Sequence, residues 1–502
     1  MKKKLFAVAV IAVAAALSAG IFVGCADVKG VGEFAPKAAS EEYRQQVMNS
    51  SVAYENLEWL GSGDMISRYG SVKEDEFSIN YGVGKAAMNI AAKMEGMGYK
   101  PMDVSIKVNE EGYLANYGTR DISGLMTYST AMQGQVGVNA LYEKTATSGS
   151  RGQIIIMSHF DNLYDTVTSG ATSVTAEGAY ENGAAVATML YAAQLLAQAE
   201  TEYDIIFAFF GSSVISANNT LYYSWDGADA FLAKLPSLLG KEYNPVLAIN
   251  LWRLGGENLY MYSADNQTSY NNYFYAVAEA DGIDVSPVPE YKHAFSESFA
   301  TNILATSPSG VFHAGLMNDS IYFINEGIPT LTYMSLDWDS GNEDSNPESP
   351  NVAFTGSDTL NNMILAFKGG EAGEQAIKTQ LNGVALNIVN AVTGENSAMF
   401  QTAISTAREE LKDDYGALYG LSIATTVLVW AVVIGLLIAA VILRGKNVTK
   451  MASRRPPQGP SVSNPFTEFD KGSPFEEFDD KNKNTPSGNS SGSSGSDIFE
   501  GF

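Results

Sequence analysis

The chain is poor in cysteine, with only Cys25 among its 502 residues. One cysteine cannot form an intramolecular disulfide, and a zinc site made of four thiolates is excluded for the same reason. Positive charge is also scarce, because 31 lysines and arginines face 56 aspartates and glutamates and leave a net charge of −25. This balance argues against nucleic-acid binding and is typical of an exposed, solvated ectodomain. The sequence also lacks a nucleophile-elbow motif or a phosphate-cradling loop in a supporting context.

Residues 1–25 form a predicted targeting segment. Three lysines, Lys2–Lys4, precede an uncharged run from Leu5 to Gly24, as in a signal peptide or an N-terminal anchor. The run ends in the sequence IFVGC, which resembles a bacterial lipobox in which Cys25 would be acylated. It is also long enough to span a bilayer uncut. Lipidation, an uncleaved anchor and ordinary cleavage therefore all stay open.

A second apolar run lies near the C-terminus. Tyr415–Leu443 contains no charged residue, and residues 416–443 are predicted to form a transmembrane helix. The flank after this run is basic, whereas acids cluster before it, which places the C-terminus in the cytoplasm and the large domain outside. The charges concerned are Arg444, Lys446, Lys450, Arg454 and Arg455 after the run and Glu409, Glu410, Asp413 and Asp414 before it. The sequence thus predicts a protein of the cell membrane.

The last segment, residues 444–502, is predicted to be a disordered cytoplasmic tail because it is rich in Pro, Ser, Gly and Asn. It carries a short repeat, in which PFTEFD at 465–470 recurs as PFEEFD at 474–479, and it ends in IFEGF. Paired phenylalanines with acids between them suit multivalent docking to a cytoplasmic protein. These phenylalanines are Phe466, Phe469, Phe475, Phe478, Phe499 and Phe502. Biased low-complexity sequence is the plainer alternative.

Between the two ends, residues 40–400 show the pattern of an α/β domain. Apolar spacing predicts helices within Tyr81–Gly98 and from Ala184 to Ala197. Short apolar runs predict strands at Gly137–Lys144, Ile154–Met157, Asp204–Phe210, Val246–Leu251 and Thr330–Met334. Strands that alternate with helices indicate a mostly parallel mixed sheet sandwiched between helices.

Polar residues follow one of these strands at the position where open α/β sheets place their sites. His159 and Asp161 come just past Ile154–Met157, and a loop leads to Glu181-Asn182-Gly183 before the helix at Ala184. Taken alone, His159 is equally explained as a hydrogen-bonded residue at a strand end. Glu181 would then be an acid favoured by the helix dipole.

The order strand, His-x-Asp, loop, acid-Asn-Gly and helix resembles the metal-binding core of the zinc exopeptidases of metallopeptidase family twenty-eight. That family holds secreted bacterial aminopeptidases and also non-catalytic relatives such as the transferrin-receptor ectodomain. The segments Ser67–Gly70 and Asp358–Asn362 add to the resemblance, which runs from about Glu42 to Asn396. It implies a zinc-exopeptidase-like extracellular domain.

The resemblance also assigns roles to three residues of this chain. A two-zinc exopeptidase needs two histidines, a bridging carboxylate, two further carboxylates and a general base. His159 matches the first histidine, and Asp161 matches the carboxylate that orients this histidine. Glu181 stands where the family has its bridging Asp, so His159 and Glu181 would be the residual metal ligands.

The remaining positions of the pattern hold residues that are unsuited to this chemistry. Ser212-Ser213 replaces two adjacent glutamates, of which one is the base and the other a ligand. Trp252 replaces a ligand Asp, and Ser320 replaces the second histidine. Serine is a poor zinc ligand and cannot act as a base near neutral pH, and an indole cannot ligate zinc. The sequence therefore predicts that the two-zinc mechanism is absent and that no cofactor binds.

A rebuilt single-metal site is the alternative. His293 or His313 would replace the missing histidine, the latter lying seven residues before Ser320. The carboxylates that would complete such a site are Glu177, Asp165 and Asp319. The acidic run Asp337–Asp344 only loosely resembles a calcium loop, because its glycine comes one position early and no glutamate closes it. A solvated acidic loop is the favoured interpretation of that run.

Three functions are compatible with these observations. The first is a membrane-anchored extracellular pseudo-peptidase that binds or scaffolds a peptide or protein ligand. The second is an active zinc-dependent exopeptidase with a metal site rebuilt around His159, Asp161 and Glu181. The third is an accessory subunit of a membrane complex, recruited through the phenylalanine repeats of its tail.

Overall fold

The computed structural model describes residues 34–407 apart from residues 67, 69–71, 131–133, 163, 166–173, 176, 213, 218–219, 224, 264–268, 288–317 and 336–357. These residues belong to the first of the two units of the chain, which ends at Leu428. Within this described part, no helix combines the length and the apolar character needed to cross a membrane. The predictions for Cys25, for residues 416–443 and for the tail phenylalanines lie outside the described residues.

Helices and strands alternate along most of the described chain. The helices are α1 (Glu41–Met48), α2 (Val52–Leu60), α3 (Gly82–Gly96), α4 (Ala184–Gln198), α5 (Asp226–Leu239), α6 (Ser269–Asp281), α7 (Ser320–Asn325), α8 (Leu360–Phe367), α9 (Gly370–Val392) and α10 (residues 397–407). The strands are β1 (Val72–Lys73), β2 (Lys100–Pro101), β3 (Ser105–Val108), β4 (Arg120–Ser123), β5 (Leu125–Ser129), β6 (Gln135–Lys144), β7 (Gln153–His159), β8 (Tyr164–Asp165), β9 (Val174–Thr175), β10 (Asp204–Phe210), β11 (Val214–Ala217), β12 (Thr220–Tyr223), β13 (Pro245–Leu251), β14 (Tyr260–Ser263), β15 (Ser286–Pro287) and β16 (Thr330–Met334).

Ten of the described strands form one mixed sheet in the order β1-β6-β10-β7-β13-β16-β14-β15, with β2 and β5 also paired to β6. The central strands β10, β7, β13 and β16 are mutually parallel, whereas β6 and β14 join them antiparallel. The parallel register sets Phe210 opposite His159, so β7 and β10 end at the same edge. The predicted mostly parallel mixed sheet is confirmed.

Helices cover both faces of this sheet, as the continuous apolar strands require. Along β7, Ile154 and Ile156 pack into the core cluster that includes residues of α4 and α9. The alternate residues Ile155 and Met157 pack into a second cluster that contains Phe231 of α5 and Phe323 of α7. The period-two alternation of a strand therefore divides the core into two layers.

The strand boundaries differ from the prediction at the point that matters for the site. The run Ile154–Met157 extends to Gln153–His159, so His159 is the last residue of β7 rather than a residue beyond it. The extension follows from pairing with β10, whose seven residues reach Phe210. A strand's backbone holds the His159 side chain more firmly than a loop would.

The segment before α1 is bound to the opposite, amino edge of the sheet. The Lys37 amide donates to Asn396 Oδ1 at 2.8 Å, and the Lys37 carbonyl accepts from Asn396 Nδ2 at 2.8 Å. The ring of Phe34 lies 5.5 Å from that of Tyr273, which in turn lies 6.1 Å from Phe400 of α10. Phe400 also packs 5.1 Å from Tyr203, the residue that precedes β10. The start and the end of the described domain thus meet at the amino edge.

Candidate functional site

Five buried side chains meet at the carboxyl edge of the sheet, and we call them the centre. His159 ends β7, Trp252 and Arg253 follow β13, Glu181 lies shortly before α4, and Asp319 precedes α7. Each of the five is at most 4% exposed. Parallel strands that end at one edge bring together residues that lie up to 160 positions apart in the chain.

Both ring nitrogens of His159 face carboxylates. Nδ1 lies 2.9 Å from Oδ2 of Asp319, which is a hydrogen-bond distance. Nε2 lies 3.0 Å from Oε1 of Glu181 but off the direction of a ring N–H, so this contact is an ion pair rather than an aligned hydrogen bond. The carboxylate on Nδ1 is therefore that of Asp319, although the resemblance implied Asp161 for this role.

The carboxylate of Glu181 has partners on both oxygens. Oε1 accepts a hydrogen bond from the indole Nε1 of Trp252 at 3.0 Å, in addition to its contact with His159. Oε2 accepts from the guanidinium Nε of Arg253. The group that the resemblance assigns to bridging two metals is thus surrounded by three donors of the protein itself.

Charge and burial together set the protonation states in the centre. Burial works against a charged His159 ring, but the carboxylates of Asp319 and Glu181 outweigh it and raise the pKa of His159 to about 10. Burial by itself would raise the pKa of Glu181, yet Arg253 and His159 bring this pKa below its ordinary value. At neutral pH the centre therefore contains an imidazolium, a guanidinium and a Glu181 carboxylate in contact.

Asn182 connects the centre to two strands. Its Nδ2 donates to Ser158 Oγ at 2.9 Å and to the Leu251 carbonyl at 3.2 Å. Its Oδ1 accepts from the Arg253 amide at 2.7 Å. One side chain thereby ties the ends of β7 and β13 to the loop that carries Glu181.

Asp358 holds the same loop from the other side. Its Oδ1 accepts from the Tyr180 amide at 2.7 Å, and its Oδ2 accepts from the Glu181 amide at 3.0 Å. Burial raises the pKa of Asp358 to about 7, although these two N–H groups oppose the shift. The role of the Asp358–Asn362 segment is therefore to position the Glu181 backbone.

Arg68 joins the loops beneath the centre through backbone carbonyls. Its guanidinium donates to Phe160 at 2.8 Å, to Met65 at 2.7 Å and to Glu177 at 3.0 Å, and it also bonds to Leu60. The Arg68 side chain is fully buried, and this burial lowers its pKa to about 10. We call Arg68, Asn182 and Asp358 the clamp, because each ties separate segments together around the centre.

The clamp leaves little room in the loop before α4. Gly178 adopts a positive φ of 61°, and a Cβ added there would approach the Glu181 carbonyl to 2.8 Å and Arg68 Nη2 to 3.0 Å. Only glycine meets both conditions without a shift of its neighbours. This close approach fixes the path of the chain into Glu181.

Residues 138–367 match the model of Peptidase family M28. The central part of this chain has a fold like that of Peptidase family M28 aminopeptidases. The resemblance inferred from the sequence is thereby confirmed, over a shorter range than Glu42–Asn396. No curated protein matches the sequence.

Solved structures resemble this central part and its flanks at low identity. The zinc aminopeptidase BSAP of Bacillus subtilis is 15% identical, with 69% of this chain and 95% of that one covered and a TM-score of 0.43. A leucine aminopeptidase precursor from Bacteroides thetaiotaomicron is 13% identical, with 72% and 99% covered and a TM-score of 0.43. The glutaminyl cyclase of Porphyromonas gingivalis is 15% identical, with 69% and 98% covered and a TM-score of 0.42.

The structure describes three of the four positions at which the sequence lacks a family ligand or base. Ser212 is buried after β10 and adopts a positive φ of 53°, and Tyr128 donates to the adjacent Gly211 carbonyl at 2.6 Å. The Trp252 indole donates to Glu181 Oε1 at 3.0 Å. Ser320 Oγ is buried and has no hydrogen-bond partner among the described residues. Ser213 lies outside the described residues.

The residues proposed for a rebuilt metal site are only partly brought together. Asp319 does contact His159, whereas the Glu177 carboxylate accepts from the Leu360 amide at 2.9 Å and thereby holds the start of α8. The side chain of Asp165 and the whole of His293, His313 and the acidic run at 337–344 lie outside the described part. Asp161 is fully buried beyond the end of β7.

A zinc pair does not fit the donors that the structure describes around Glu181. Metal ligands must be available, but both ring nitrogens of His159 already face carboxylates and Glu181 already has three partners. Arg253 adds a positive charge where a dication would have to enter. In the part of the chain that the structure describes, no group of three or more His, Cys, Asp or Glu side chains is arranged to hold a metal ion.

Arg253 is the functional residue that sequence reasoning missed. It directly follows Trp252, and together they stand where the resemblance requires a ligand Asp after a buried strand. A cation beside a lost ligand is the signal that could have identified it. Asp319 was named only for a rebuilt metal site, whereas its carboxylate pairs with His159 in the structure.

Proposed function

We propose that this chain is a membrane-anchored, non-hydrolytic M28 protein whose extracellular domain serves as a binding or scaffolding module. The observation that supports it best is the closed contact set of Glu181 with Trp252, Arg253 and His159. A carboxylate in this state is not available to bridge metals, and the base position holds Ser212. Among the described residues, neither metal activation of water nor general-base catalysis has the group that it needs.

The two apolar runs of the sequence support a membrane anchor, and each borders one end of the described domain. The segment at Phe34 follows the predicted targeting run by nine residues, and α10 leads towards the apolar run that begins at Tyr415. Both Phe34 and Phe400 pack on Tyr273 at the amino edge of the sheet.

The decisive experiment is a zinc analysis of the full chain in detergent, combined with an aminopeptidase assay on the same sample. We expect substoichiometric zinc after loading and dialysis, and no release of N-terminal residues from a panel of aminoacyl substrates. His159→Ala is the matched variant, since it should be as inactive as the parent. Stoichiometric zinc together with turnover that is lost in His159→Ala would establish the exopeptidase alternative instead.

We further propose that the tail recruits a cytoplasmic protein through its phenylalanine repeats, because aromatic pairs repeated on a flexible chain gain avidity from multivalency. The test compares proteins cross-linked in cells to the full chain with those cross-linked to a chain without residues 464–502. A variant with Phe466, Phe469, Phe475 and Phe478 changed to Ala keeps the length and charge of the tail. A partner lost in both variants is expected, and retention of every partner would contradict the proposal.

A further inference from the structure

We infer that the guanidinium of Arg253, together with the Trp252 indole, has taken the place of the metal ions as the positive partner of Glu181. In this chain the fold around the centre would then be stabilised by an internal ion pair and would not respond to zinc. The inference rests on the proposed non-hydrolytic function, since a bound metal pair would need the same carboxylate. Arg253 and Trp252 would then provide the stabilisation that bound metal ions provide in a two-zinc site.

The first step is electrostatic. Glu181 and Asp319 are both fully buried, and a buried carboxylate without a partner is very unfavourable. Arg253 contacts Glu181 directly and is itself only 4% exposed. An arginine suits this position better than a lysine, because its planar group is always charged and binds carboxylates through directed N–H groups.

The second step concerns how Arg253 is aimed at the centre. Its backbone adopts a φ of 45°, which a residue with a side chain rarely adopts without support from its surroundings. Asn182 Oδ1 accepts from the Arg253 amide at 2.7 Å, and the Arg253 carbonyl accepts from Ser335 at 2.9 Å through its amide and 2.6 Å through its hydroxyl. The backbone is thus held on both sides in the conformation that directs the side chain to Glu181.

The third step is the position of Trp252. Its indole donates to Glu181 Oε1, and the Arg253 guanidinium carbon lies 4.5 Å from the centroid of the same indole. The ring therefore hydrogen-bonds the carboxylate and packs against the cation that neutralises it. The indole and the guanidinium would thus supply what a bridging metal site provides to this carboxylate, namely positive charge and a second donor.

The experiment measures the thermal midpoint of the full chain in detergent for Arg253→Met, Glu181→Gln and the double variant. Arg253→Met should lower the midpoint by roughly 4–6 °C, because it leaves a buried carboxylate without its cation. The double variant should be less destabilised than the sum of the two single changes, since the uncompensated charge is then removed as well. Arg151→Met is the control, because Arg151 pairs with Glu202 at the surface and should shift the midpoint by less than about 1 °C.

Two further measurements keep the inference testable if Arg253→Met does not fold. Trp252→Phe keeps an aromatic ring but removes the donor to Glu181 and part of the buried indole volume, so a decrease of the midpoint smaller than that of Arg253→Met is expected. The wild-type midpoint should be the same with a chelator and with added zinc. Strictly additive effects in the double variant, an unchanged midpoint in Trp252→Phe, or a wild-type midpoint that falls with the chelator would each overturn the inference. None of these readouts depends on turnover, so a hydrolytic wild type would refute the proposed function separately.

Discussion

The clamp and the centre lie within one edge of the same sheet, yet they relate differently to the family pattern. Arg68, Asn182 and Asp358 occupy motif positions and make the bonds that position the Glu181 loop. The centre instead combines His159 and Glu181 with Trp252, which holds a ligand position of the family, and with Arg253 beside it. The clamp thus holds the loop through hydrogen bonds that involve none of the side chains at the substituted ligand positions.

The reason is that the clamp acts mainly on backbone atoms. Arg68 bonds to carbonyls and Asp358 bonds to amides, so both satisfy buried main-chain groups that the loops could not satisfy themselves. These needs are the same whether or not a metal lies above them. The centre has only to balance its own charge, which several sets of residues can do.

The largest loss of stability is expected from a substitution in the clamp. Arg68→Met should reduce the free energy of unfolding by more than about 3 kcal/mol, because it leaves several buried carbonyls without donors. Chemical denaturation of the full chain in detergent measures this loss. Arg151→Met is the matched control, since Arg151 pairs with Glu202 at the surface and should contribute less than about 1 kcal/mol. Equal effects of the two substitutions would remove the distinction between the clamp and an ordinary ion pair.

The smallest changes in the free energy of unfolding are expected for two buried serines at the carboxyl edge, and the two should differ in sign or size. Ser158 Oγ accepts from Asn182, so Ser158→Ala should cost about 1 kcal/mol. Ser320 Oγ has no hydrogen-bond partner among the described residues, so Ser320→Ala should be neutral or stabilising by up to about 1 kcal/mol. Both values come from the same denaturation experiment. A larger loss for Ser320→Ala than for Ser158→Ala would show that the centre depends on the Ser320 hydroxyl.

The sheet and its helices could be predicted closely from the sequence. The predicted strands Asp204–Phe210 and Thr330–Met334 are confirmed residue by residue. A short, unbroken apolar run between polar turns is typical of a buried strand and is too short for most helices. The end of β7 was predicted less well, since pairing with β10 carries the strand two polar residues further, to His159. The end of a strand depends on the length of the strand paired with it, and the local sequence pattern carries no information about that pairing.

For the site, the sequence by itself determined which residues are missing and therefore which chemistry is unsupported. Ser212, Trp252 and Ser320 were assigned by the resemblance to the family, with the predicted strands as landmarks. Only the tertiary structure decided what replaces the lost ligands, because Arg253, Glu181 and Asp319 lie far apart in the chain and meet only at the carboxyl edge of the folded sheet. The sequence shows which side chains are charged. Which charged side chains interact depends on distances of a few ångströms, and these distances arise only on folding.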